Sequence, residues 1–259
     1  MRLGVVFGAI FRRDLAMAKR YLFNTLSSLI SIYVVFLLIF MGMRAFGVRP
    51  MDAGGDQSLE NTVIGFFVWT FAVFSYSDFS WGLIGEAQAG TLEQLYLAPC
   101  GFRWISVFSI LSSLVFSAAP VALALLAMMA TTGVWLSIDL VSVIPLLVIT
   151  MLGAVGVGYV MGGLALVFKR VQAAFQIVQF LFVGMLVLPE RLWWTRLLPL
   201  AGGNALIRQV MVNGARLWDL PAADVLTATA VGVAYLAAGL LAFSTCERLA
   251  RSRGLLGHY

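Results

Sequence analysis

The polar residues best suited to specific chemistry lie together in residues 85–99, between two long apolar segments. Gly90 interrupts the preceding helical pattern, and Thr91 with Gln94 three residues later has the spacing of a capping box. Pro99 then supplies a stop signal after about two turns. The pattern predicts a small, separately capped helix that a soluble partner could bind. An ordinary connecting loop is the alternative, because such motifs also occur by chance.

Asp78 is the main ionisable residue within an apolar segment. An acid inside a membrane span is a functional-site hypothesis by default. The sequence favours a simpler role, in which the carboxylate lies near the inner interface and pairs with a basic residue or meets water. A proton-coupled carrier would place acids near the midplane, and a voltage sensor would need a row of arginines. The sequence has neither pattern.

Groups suited to catalysis or to metal binding are scarce. His258 is the sole histidine, and the two cysteines, Cys100 and Cys246, lack metal-ligand spacing. A Ser-His-Asp arrangement would need a placed histidine. Neither lysine, Lys19 or Lys169, follows a glycine, so no P-loop is present. We therefore expect that the chain is not an enzyme and binds no metal or cofactor itself.

Composition sets the class of fold. The 259 residues are 61% hydrophobic and only 11% charged, whereas soluble domains carry about 25% charged residues. This chain has too little polar surface to cover a water-soluble globule of its size. The sequence therefore predicts an all-α polytopic membrane protein.

One membrane domain, residues 1–259, is predicted to contain six transmembrane helices. The basic N-terminal segment has apolar residues at helical spacing and should lie in the headgroup layer. The segment after the fifth span is too long for a tight turn and too apolar for water, so outer re-entrant helices are predicted. The predicted boundaries are 1–21 for the interfacial helix, 22–84 for spans 1 and 2, 85–101 for the short helix, 102–188 for spans 3 to 5, 189–221 for the outer segment, 222–244 for span 6 and 245–259 for the tail.

The distribution of basic residues predicts the orientation. With the N-terminus inside, eleven of the 17 Lys and Arg residues fall on inner segments and six on outer ones. Both termini and the short helix are therefore expected to be cytoplasmic.

Aromatic residues are concentrated in the second predicted span. Phe67, Phe71 and Phe74 share a helical face and could line a path for sugar rings or amphiphile tails. Simple packing or lipid contact is the commoner role of such a stripe. A nearly uncharged path suits an amphipathic substrate, because a small ion would need placed polar ligands. These three rings and Asp78 are our candidate substrate-path residues.

The sequence around the predicted short helix closely resembles the cytoplasmic segment of the ABC type-2 permease family, the membrane subunits of ATP-driven exporters. The matching residues are Glu86, Gly90, Thr91, Leu92, Glu93, Gln94, Leu95, Leu97, Ala98 and Pro99. The amphipathic start, the six-span pattern and the long outer segment also fit. The resemblance thus covers nearly the whole chain.

The resemblance implies a set of partners. In that family this segment is a coupling helix that docks into a cleft of a separate nucleotide-binding subunit. The expected contact residues are Glu86, Gly90, Thr91, Leu92, Glu93, Gln94 and Leu95, with Pro99 limiting the helix. The expected assembly has two copies of a P-loop ATPase, which bind ATP-Mg, and a second permease copy as a homodimer. Membrane lipid is the other expected partner, and no nucleic acid is expected.

The resemblance also implies a function. The chain would export an amphipathic, lipid-linked or drug-like substrate across a bacterial-type plasma (inner) membrane by alternating access, powered by the separate ATPase. The alternative is an ATP-independent carrier or a membrane scaffold. Carriers often show internal repeats, and the sequence has no convincing one.

Overall fold

The computed structural model describes residues 3–45, 58–98, 100–168, 171–187 and 193–252. Their regular secondary structure is entirely helical. Two short 3-10 helices, Trp193–Leu197 and Leu217–Asp219, flank α8. The α-helices are α1 Leu3–Arg20, α2 Leu22–Ala45, α3 Ser58–Gln88, α4 Leu92–Leu97, α5 Phe102–Thr132, α6 Leu140–Val167, α7 Gln172–Val187, α8 Ala201–Asn213 and α9 Ala222–Ser252.

Five of the described helices are long and apolar enough to cross a bilayer, namely α2, α3, α5, α6 and α9. The predicted all-helical, multi-pass membrane class is therefore confirmed. Six spans were predicted, whereas five of the described helices meet these criteria. The predicted fifth span, 171–188, corresponds to α7, which has 16 residues. At about 1.5 Å per residue α7 is roughly 24 Å long, shorter than a hydrocarbon core of about 30 Å.

Two of the long helices continue past the residues at which their membrane spans were predicted to end. The second span was expected to end at residue 84, and α3 continues to Gln88. The sixth was expected to end at residue 244, and α9 continues to Ser252. Both extensions reach the end of the bundle where α4 lies, and they give α4 a surface on which to pack.

The central helix of the bundle is α6, which packs against α3 on one side and α9 on the other. A Cβ added at Gly158 would lie 2.9 Å from the Tyr76 carbonyl oxygen of α3. One added at Gly163 would lie 3.1 Å from the Cβ of Cys246 in α9. A side chain at Gly158 would therefore force α3 and α6 apart, and one at Gly163 would be tighter than ordinary contact, so the glycines permit this close helix packing.

The described residues between α7 and α9, 193–221, pack along the first half of α6. A Cβ added at Gly153 would lie 2.7 Å from the carbonyl oxygen of Pro199, just before α8. At the other end of α8, the backbone N–H and the hydroxyl of Ser137 both donate to the Met211 carbonyl oxygen at 3.0 Å. As a result, α8 lies alongside α6.

The predicted N-terminal helix forms as α1 and packs on α5. The rings of Phe7 and Phe108 lie 5.7 Å apart, and those of Phe11 and Phe116 lie 4.8 Å apart. This contact brings α1 close to α4. Its place in the headgroup layer stays a prediction.

Candidate functional site

The predicted break at Gly90 is confirmed, because α3 ends there in a glycine turn. Gly90 has a φ of +70°, and its N–H donates to the Ala87 carbonyl oxygen at 3.2 Å. The Thr91 N–H donates to the Glu86 carbonyl oxygen at 3.0 Å. This pair of bonds is the Schellman motif, which favours glycine at the left-handed position. The turn sets the point at which α4 begins.

The predicted capping box between Thr91 and Gln94 is wrong. Thr91 precedes α4, but no side chain caps this helix. The Thr91 hydroxyl instead donates to the Glu86 carbonyl oxygen at 3.2 Å and to the Glu86 carboxylate. The reason is that Thr91 has a helical backbone, with φ −93° and ψ −5°, rather than the extended backbone of a capping residue.

The other end of α4 is also set by backbone conformation. The helix has six residues and ends at Leu97, where Ala98 takes up an extended conformation. Gly101 then adopts a φ of +75° just before α5. Pro99, predicted to limit the helix, lies outside the described residues. A glycine with positive φ therefore lies on each side of α4.

The inner face of α4 is anchored in the core of its own subunit. Leu92 is only 1% exposed and belongs to a cluster that includes Ala87 of α3 and Phe102 of α5. Tyr96 stacks on Phe102 with ring centroids 4.5 Å apart. Leu92 is thus an anchor of α4, and other residues form the outward surface of this helix.

The end of α9 covers the Tyr96 side of α4. The Arg251 guanidinium carbon lies 4.6 Å from the centroid of the Tyr96 ring, within the range of a cation–π contact. Arg251 also pairs with Glu247 at 2.6 Å. The Tyr96 hydroxyl is buried and has no hydrogen-bond partner among the described residues.

These surroundings change how Tyr96 titrates. Burial raises the pKa of the Tyr96 phenol above its ordinary value of 10.0, the Glu247 carboxylate raises it further, and Arg251 opposes both. The folded state therefore favours the neutral phenol. This preference is fully present below pH 10 and is lost as the pH rises above the ordinary pKa, where the unfolded state ionises first.

We expect Tyr96→Phe to remove this loss of stability at alkaline pH. The thermal midpoint of the variant at pH 8 should equal or exceed that of the parent, because no hydrogen bond is lost. Between pH 9.5 and 11 its midpoint should fall less steeply. Tyr21→Phe, at an exposed tyrosine, is the matched control and should keep the parental slope. Equal slopes for the parent and Tyr96→Phe would contradict the assignment.

A polar cluster ties α1 to the start of α4. A guanidinium nitrogen of Arg13 lies 3.4 Å from the Glu86 carboxylate, and Arg13 also pairs with Asp14 at 3.1 Å. Glu86 therefore binds both Arg13 and Thr91. Leu95 adds an apolar contact, because it packs against a cluster that contains Val6 and Ile10. Arg13 did not emerge from the sequence, since it lies 73 residues from Glu86.

The outward surface of α4 is polar with one large apolar residue. Gln94 is exposed, as is Gly90 beside the helix. Leu97 is 83% exposed although it is large and apolar. It belongs to the matching motif but was not among the predicted contact residues. The Glu93 side chain lies outside the described part of the structure.

The candidate substrate-path residues lie on α3. Phe67 and Phe71 are buried in the core and Phe74 is packed against it. Asp78 is half-buried and forms no ion pair or hydrogen bond with any residue that the structure describes. Of the two roles that the sequence favours, pairing with a basic residue is not seen among these residues, and contact with water stays a prediction. The role of these four residues in a substrate path stays a prediction.

Taken together, these helices and this junction define a multi-pass membrane protein with a short helix displayed at one end of the bundle. Comparison with protein-family models, with curated proteins and with solved structures gives no match. In the described segments no group of three or more His, Cys, Asp or Glu side chains could hold a metal ion.

Proposed function

We propose that this chain is the membrane subunit of an ATP-driven exporter that resembles the ABC type-2 permeases. Its substrate would be amphipathic, lipid-linked or drug-like. The observation that carries the proposal is the construction of α4. This helix is anchored underneath by Leu92, is bounded by Gly90 and Gly101, and exposes Gln94 and Leu97.

The connections of α4 suit it to transmit motion. The Schellman turn joins it to α3, and Gly101 joins it to α5 after a short connection. A partner that displaces α4 would therefore act on both long helices. A separate P-loop ATPase would bind ATP-Mg and close, and α4 would move with it. The ATPase can shift the permease only if it binds the inward-facing and outward-facing states with different affinity.

A second permease copy and two ATPase subunits complete the proposed assembly. The exposed apolar face of α2 supports this assembly, because such a face must be covered by a neighbouring subunit or by lipid. Only 17% of the residues in its most apolar 18-residue segment are buried. Its large exposed apolar side chains include Phe23, Ile30 and Leu38. A homodimer with lipid around it would cover this surface.

The proposed topology has both termini and α4 in the cytoplasm of a bacterial-type cell, and α1 in the headgroup layer. The chain 193–221 would re-enter the membrane from the outer side. The packing of Pro199 on Gly153 supports this, because Gly153 lies near the middle of α6. Trp218 is exposed near the start of α9, where an interfacial tryptophan would be expected.

Purification of the full chain from its native membrane tests the function. We expect a P-loop ATPase to be recovered in equal amount. In a background with Cys100 and Cys246 replaced by serine, Gln94→Cys should react with a membrane-impermeant maleimide only after the membrane is opened. The bound ATPase should protect it. Trp218→Cys is the control and should react in intact cells.

Two results would contradict the proposal. One is labelling of Gln94→Cys in intact cells, which would put α4 outside. The other is a chain that transports its substrate without any ATPase, as the alternative of an ATP-independent carrier requires.

A further inference from the structure

A second polar site lies at the opposite end of α9 from α4. Asp224, in the first turn of α9, lines this site, and Arg251, near the other end of the same helix, contacts Tyr96 of α4. The site is a pocket of about 90 Å³ between the 3-10 helix Trp193–Leu197, the start of α8 and the first turns of α9. That volume holds several water molecules or a group the size of a phosphate.

Charge in the pocket favours an anion. Its lining carries the guanidinium groups of Arg196 and Arg208 and the carboxylate of Asp224. Arg196 pairs with Asp224 at 3.3 Å, but its side chain is 65% exposed. An incoming anion could therefore compete with Asp224 for it. The planar fork of a guanidinium suits the oxygens of a phosphate or a carboxylate.

The start of α8 adds backbone donors to the same pocket. Ala201 and Gly202, in the first turn of this 13-residue helix, line it. Leu200 occupies the N-cap position, and no side chain caps the helix. The first N–H groups of an uncapped helix, together with its dipole, favour a bound anion.

Asn204 supplies an independent sign of a ligand. It lines the pocket and is only 3% exposed. Its Oδ1 atom is buried and accepts no hydrogen bond within the described segments. A buried acceptor without a donor is unfavourable, and a ligand hydroxyl would provide that donor.

We propose that this pocket binds a phosphate ester that carries a free hydroxyl. The phosphate lies against Arg196, Arg208 and the first turn of α8, and the hydroxyl donates to Asn204. A glycerol-phosphate lipid headgroup and a soluble polyol phosphate share this chemistry. The proposal does not depend on an ATPase partner, so it can fail or succeed separately from the proposed function.

Binding is measured with two probes on the full-length purified protein. Native mass spectrometry measures how many phosphatidylglycerol molecules stay bound to the protein, and phosphatidylcholine is the comparison lipid. Equilibrium dialysis measures labelled glycerol 3-phosphate. Retention of the lipid alone assigns the site to a membrane headgroup, and binding of the soluble probe assigns it to a soluble ester. The parent is expected to bind at least one of the two.

Variants decide whether binding occurs in this pocket. Arg196→Gln and Asn204→Leu should each weaken binding of the probe about tenfold, which is the usual effect of losing a hydrogen bond to a charged or buried group. Asp224→Asn should strengthen it several-fold, because it removes the competing carboxylate. Arg216→Gln, at an exposed arginine outside the pocket, should leave it unchanged.

The proposal is overturned if the parent binds neither probe. It is equally overturned if Arg196→Gln and Asp224→Asn both bind like the parent. Misfolding cannot imitate the expected pattern, because one of the two exchanges strengthens binding and the other weakens it.

Discussion

Replacing Leu92 with alanine is expected to destabilise the folded protein by about 2–5 kcal/mol, the usual cost of emptying a buried leucine site. Leu92 is 1% exposed and lies between α3 and α5 beneath α4. Its partners Ala87 and Phe102 are held by long helices and cannot collapse freely into the cavity. The free energy of unfolding, measured by denaturant titration of the purified protein, checks this value.

Leu97→Ala is the matched exchange at an exposed site. Because Leu97 is 83% exposed, its loss should change the free energy of unfolding by no more than about 0.5 kcal/mol. Under the proposed function, the same variant should weaken recovery of the ATPase. The two leucines are therefore expected to differ, with Leu92 setting stability and Leu97 setting partner binding. Equal losses of stability would show that α4 does not pack as described.

The membrane class of this fold could be predicted from the composition of the chain. The lengths of the helices could be predicted only in part. Apolar runs identified the five long helices because burial in lipid or in the core needs the same residues. The predicted spans end at 84 and 244, where polar residues suggested the edge of the bilayer, whereas the helices α3 and α9 themselves continue to Gln88 and Ser252. Helices can continue past that edge when other elements pack on them, as α4 does here.

The location of the candidate site could also be predicted, because Gly90 is a local signal. The hydrogen bonds of Thr91 could not be predicted, because the spacing between Thr91 and Gln94 does not show that the oxygens of Glu86 compete for the Thr91 hydroxyl. Arg13 reaches Glu86 only through the packing of α1 on α5. Which leucine of α4 faces the core likewise depends on tertiary contacts. The pocket around Asn204 was missed because its residues come from separate elements of the outer segment and α9.

Exchange of Gly90 for valine should destabilise the turn between α3 and α4 by about 1–3 kcal/mol, the range for a residue in a disfavoured backbone region. Gly90 has a φ of +70°, where a β-branched residue is strained. A Cβ added there would meet no atom within 4 Å, so the effect arises from the backbone alone.

Gly85→Val supplies the control for that exchange. Gly85 lies within α3, outside the left-handed region, and a Cβ added there also meets no atom within 4 Å. The free energy of unfolding of the Gly85→Val variant should differ from that of the parent by no more than about 0.5 kcal/mol. Gly90→Val should also speed maleimide labelling of Gln94→Cys, because loss of the Schellman bonds frees the start of α4. Equal stability of the two valine variants would mean that the positive φ of Gly90 does not hold α4 in place.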